Sequence, residues 1–119
     1  MVYSGYIIQQ STHSNYSIAI QRDLVLDTAE NLTQIGTWAH GSFAKEGQRI
    51  ELFLRLTRKN LNALLDFPLS PSFDSGFQKF NQSFGRLEKE YRTGIVNRSA
   101  WANRMFTWGT TLTQNVKLI

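Results

Sequence analysis

The chain has 119 residues, 41% apolar and 13% aromatic, enough for one domain to close a core unaided. It contains no cysteine, which excludes a disulfide framework, a thiolate metal site and a cysteine nucleophile, and which fits a reducing compartment. The net charge of +4 is divided unevenly: residues 1–48 hold Arg22 and Lys45 against Asp23, Asp27, Glu30 and Glu46, whereas residues 49–119 hold eleven Lys or Arg against five carboxylates, a balance of +6.

Residues 1–16, rich in Tyr, Ser, Gln and Ile, alternate over 3–8 and read as an arm or an edge strand. Over 18–26 two readings stand. Ile18, Ile20, Leu24 and Leu26 alternate like a strand, whereas Val25 opens the helical series Val25, Ala29, Leu32, Gly36, Ala39 and Phe43. Asp27 with Glu30 three residues on fits a capping box that starts the helix there; the alternative is a helix that begins near Asn15 and runs through. Small residues at Ala29, Gly36 and Ala39 admit a close neighbour, and Gly41 is a natural stop.

A second helix is expected over 48–66. Ile50, Phe53, Leu54, Thr57, Leu61, Leu64 and Leu65 cluster on one side, and Leu52, Leu56 and Ala63 form a second apolar strip behind them, the pattern of a central helix with neighbours on two sides. The Phe-Pro-Leu-Ser-Pro-Ser run at 67–72 breaks the helix and leaves a Pro-containing interhelical loop over 67–73. Asp74 or Ser75 then caps a third helix that Gly94 closes. Its Phe77, Phe80, Phe84, Leu87 and Tyr91 lie three, four, three and four apart, one helical face, and Lys79, Gln82, Arg86 and Lys89 occupy the opposite side.

A fourth helix, from Asn97 or Ser99, carries Trp101, Met105, Trp108 and Leu112 on one face, while Gly109 and the threonines of 107–113 weaken its end and leave the last residues extended. The chain reads as one all-α domain over 1–119, a compact bundle of four to five helices with an irregular or extended N-terminal segment.

Catalytic chemistry finds no foothold. His13 and His40 are too few and too far apart for a metal motif, and the phosphate-loop, dinucleotide and nucleophile-elbow fingerprints are absent. Glu88 and Glu90 are neighbours that point to different sides of their helix, so they form no acid/base pair. A non-enzymatic chain with no cofactor and no metal is expected.

The cations remain. Lys79, Arg86 and Lys89 share one exposed face; Arg55, Arg58 and Lys59 mark the second helix; Arg92, Arg98 and Arg104 surround the start of the fourth. Arg outnumbers Lys eight to five, and guanidinium matches phosphate oxygens bidentately. A positive field of this kind favours a polyanion, nucleic acid first, held without base specificity. The competing reading is that several of these Arg residues form ion pairs inside the bundle or lie along apolar surface. Trp38 and Phe106 fall off the main stripes of their helices, so each fills a second internal interface or contacts a partner, and both are candidate protein contacts.

In size, all-helical pattern and Arg-rich late helices, with the likeness carried by the Arg-Leu-Thr-Arg-Lys run at 55–59 and by residues 79–104, the chain resembles the small subunits of CRISPR effector complexes. Accessory proteins of diversity-generating reverse transcriptases, also small basic bundles, share these traits. The CRISPR resemblance implies a role in antiviral defence, a helical bundle within a larger assembly, and contact with the backbone of a single strand or of a guide–target duplex. Its partners would be other protein subunits and further copies of itself. The absence of a signal-like N-terminus and of any run near 18 apolar residues adds the expectation of a cytoplasmic protein with no membrane partner. The alternative function is a protein-interaction scaffold that binds no nucleic acid.

Overall fold

The computed structural model describes the backbone from Val2 and the side chains from Tyr16 to Ile119. Four α-helices, α1 (Val2–His40), α2 (Gly47–Leu65), α3 (Pro71–Thr93) and α4 (Arg98–Asn115), are followed by a single 3-10 turn, Val116–Leu118, and no strand occurs among the described residues. The expected all-α bundle is therefore the architecture. The arm expected over 1–16 falls on residues whose side chains, apart from that of Tyr16, lie outside the described ones, as does His13.

The strand reading of 18–26 and the capping box at Asp27 are both overturned, because these residues lie inside α1 with Asp27 exposed on its flank. The core stripe of Val25, Ala29 and Leu32 continues backward through Gln21 and Ser17, which are buried and satisfy one another: Gln21 Nε2 donates to Ser17 Oγ at 3.1 Å. Polar residues that hide a helical stripe from a hydrophobicity pattern are nonetheless part of it once they are hydrogen-bonded. The helix ends at His40, where the Gly41 amide still donates to the Thr37 carbonyl.

α2 buries Ile50, Leu54, Thr57, Leu61 and Leu64. Its second apolar strip is not covered: Leu52 and Leu56 are 44% and 38% exposed, so α2 flanks the bundle and is not its centre. That place belongs to α1, which packs against α4 and α2. The closest approach is glycine-dependent. A Cβ on Gly109 would lie 3.0 Å from Thr33 Oγ1 and 3.1 Å from the Ala29 carbonyl, so α4 meets the α1 backbone where a side chain has no room. Gly109 is thus a buried packing residue, and α4 runs through it to Asn115.

The N-cap of α3 lies four or five residues before the expected Asp74 or Ser75. Pro71, taken as a breaker, occupies the first helical position, where its missing N–H and fixed φ cost nothing. Ser70 is the cap: its Oγ accepts from the Phe73 amide at 3.3 Å and donates to the Leu118 carbonyl at 2.6 Å, which ties the α2–α3 connection to the chain end. Gly94 stops the helix with φ 112°, a left-handed setting that favours glycine.

Between those ends Phe73, Phe77, Phe80, Phe84 and Leu87 are almost fully buried, each worth about 1.5–3 kcal/mol of transfer free energy before ordering entropy is subtracted. α3 is held through these long rings, at a greater backbone distance than separates α1 from α4. α4, capped by Asn97 Oδ1, supplies Trp101, whose indole Nε1 donates to the Leu87 carbonyl at 3.1 Å and so satisfies the one polar atom of the largest core residue.

Candidate nucleic-acid interface

The nine candidate cations divide into two groups. Arg58 is engaged inside the bundle: its Nε donates to Glu88 Oε2 at 3.3 Å, its Nη2 to Glu88 Oε1, its Nη1 to Asn81 Oδ1 at 3.0 Å, and its guanidinium lies 5.2 Å from the Phe84 ring centre. Arg104 forms a bidentate pair with Glu90, and Arg98 lies 5.5 Å over Phe43. For these three the internal reading describes what the structure places around them.

The other six, Arg55 and Lys59 on α2 with Lys79, Arg86, Lys89 and Arg92 on α3, are exposed and have no carboxylate within 4.0 Å among the described residues. All six belong to the α2–α3 hairpin. On α3 the cause is helical geometry. At 100° per residue Lys79, Arg86 and Lys89 fall within an arc of roughly 80° opposite the buried Phe residues. The neighbouring carboxylates are turned away: Glu88 faces α2 and pairs with Arg58, and Glu90 faces α4 and pairs with Arg104, not with Arg86 four residues before it.

Between α2 and α3 lies a groove of about 260 Å³ that brings together residues far apart in sequence. Leu54 and Tyr91 give it apolar walls, the Arg58–Glu88 pair crosses it, and Glu51, Arg55 and Arg92 also line it. Tyr91 donates its phenolic proton to the Gly47 carbonyl at 3.2 Å; burial, and after it the nearby Glu51 carboxylate, raise the phenol above its ordinary value of 10.0. This groove was not anticipated, although a signal for it exists. Glu51/Arg55/Arg58 on α2 and Glu88/Arg92 on α3 are mixed-charge flanks beside the core stripes, and a short connection makes two such flanks face one another.

Trp38 and Phe106 fill internal interfaces, the first of the two roles open to them. Trp38 meets Phe53 edge-on with centroids 4.9 Å apart and has Arg49 5.9 Å above it, which joins α1 to α2. Phe106 packs on Gly36 and stacks on His40 at 5.6 Å, while His40 Nε2 lies 2.9 Å from Asn103 Oδ1. Both aromatics are half-buried. On α2 the apolar residues left open are Leu52, Leu56 and, at its end, Leu65.

Among the described residues no helix is long and apolar enough to cross a membrane. Compared with protein-family models, with curated proteins and with solved structures, the chain shows no match.

Proposed function

We propose that the chain is a non-catalytic helical subunit that binds nucleic-acid backbone through the outer side of its α2–α3 hairpin, within a larger ribonucleoprotein complex of the CRISPR-effector type. The observation that carries this reading is the division of the cations: Arg58, Arg98 and Arg104 are engaged by Glu88, Phe43 and Glu90, whereas the other six, all on the hairpin, are exposed with no carboxylate within 4.0 Å among the described residues. Phosphates are the natural counter-charge. If all six engaged a duplex backbone, affinity would fall with salt at a logarithmic slope of about −5, and largely without regard to sequence.

Filter binding of single- and double-stranded oligonucleotides across a salt series tests the proposal. No affinity at about 50 mM salt, or an affinity that salt leaves unchanged, ends it. The CRISPR part is tested by the neighbouring genes, which should encode effector subunits.

A second reading, a protein-docking bundle, is favoured by one observation, the uncovered Leu52–Leu56 strip. Within a ribonucleoprotein the two are compatible, since Arg55 and Arg58 line the groove toward α3 and Leu52 and Leu56 do not. Sedimentation at several concentrations, with pull-downs from the host, separates them: a strict monomer with no protein partner removes the docking role.

A further inference from the structure

The groove between α2 and α3 has a chemistry that backbone contact alone does not use. Its volume of about 260 Å³ lies just below the roughly 300–1,000 Å³ of pockets that enclose drug-sized ligands, so it suits a single ring-sized group. Two of the unpaired guanidiniums, Arg55 and Arg92, line it from opposite helices. Between them lie the apolar Leu54, the Tyr91 ring, and the Arg58 guanidinium, which Glu88 and Asn81 hold beside Phe84.

Glu51 adds a carboxylate with no ion-pair partner among the described residues, an acceptor for an N–H edge. A bare phosphate would leave the Leu54 and Tyr91 walls uncontacted and would be repelled by Glu51. A planar, partly polar ring joined to anions on both sides matches every part of this lining.

We propose that the groove seats one unstacked nucleobase of a single strand, with the flanking phosphates on Arg55 and Arg92. The proposal rests on the backbone-binding reading above and narrows it to single strands, because a base held in a duplex stack cannot enter a groove between two helices.

The test uses the whole chain and three probes of equal phosphate number, titrated at about 50 mM salt: a single strand with bases, an abasic strand and a hairpin duplex. The expected result is binding of the base-bearing strand at least about tenfold tighter than of the other two, the scale of one base–aromatic stack. Leu54→Phe, which fills the groove without altering charge, should erase that preference and leave abasic binding unchanged. Should Leu54→Phe fail to fold, Glu51→Leu, which removes the acceptor, should reduce the same ratio. Equal affinity for base-bearing and abasic strands overturns the base seat and leaves backbone binding standing. No binding of any probe overturns both.

Discussion

Phe106 lies against Gly36 so closely that a Cβ on the glycine would sit 2.9–3.0 Å from three atoms of the ring. This contact fixes the rotation of α4 about α1, because Phe106 also stacks on His40 one turn along. Gly36→Ala should therefore lower the urea midpoint, at a cost of about 1–3 kcal/mol from overpacking. Gly36→Ala combined with Phe106→Leu should recover part of that loss. Strict additivity of the two substitutions in equilibrium unfolding would count against the contact.

Two arginines should differ when truncated. Arg58 and Glu88 are 31% and 18% exposed, and Arg58→Ala strands a partly buried carboxylate, so we expect a loss of about 1–3 kcal/mol. Arg104 and Glu90 are 47% and 37% exposed, and Arg104→Ala should cost less than about 1 kcal/mol. Chemical denaturation of the two variants side by side checks the order.

Stability should fall in alkali through Tyr91. Its folded-state pKa is raised above 10.0, so the folded chain holds the phenolic proton more tightly than the unfolded one. That contribution is fully present below pH 10 and is lost as pH climbs through the folded value. Tyr91→Phe should flatten this alkaline limb, and at neutral pH it should cost about 1 kcal/mol for the lost hydrogen bond to Gly47. Thermal melts between neutral pH and pH 11 or so read both effects.

Replacing Lys79, Arg86 and Lys89 together by alanine should separate binding from folding. Unfolding free energy should stay within about 0.5 kcal/mol of the parent per site, because none of the three is paired. The salt slope of nucleic-acid binding should shrink by roughly 2–3. An unchanged slope would remove these three residues from the interface.

The four helices and the cores of α2, α3 and α4 were legible because their apolar residues recur at helical spacing and are large. Phe77, Phe80, Phe84 and Leu87 are each at most 1% exposed. What escaped were contributions that hydrophobicity cannot register. Ser17 and Gln21 extend a core stripe through mutual hydrogen bonding, Pro71 starts a helix as readily as a proline ends one, and Gly109 packs by having no side chain. The cations were visible as a set, but their division was not, since Arg58 and Arg104 meet their carboxylates across helices whose relative rotation only tertiary packing decides. The groove escaped for the same reason: Arg55 and Arg92 belong to one site only once α2 and α3 lie side by side.

The unpaired cations of α2 and α3 face a common solvent, so in the free chain the two arms of the hairpin push each other apart. Added electrolyte would relax that internal pressure and tighten the free protein, even as it strips a bound polyanion away. On the proposed function, salt would therefore act with opposite signs on the empty and the occupied molecule, and the occupied one, its charges answered, would be the more fully relaxed.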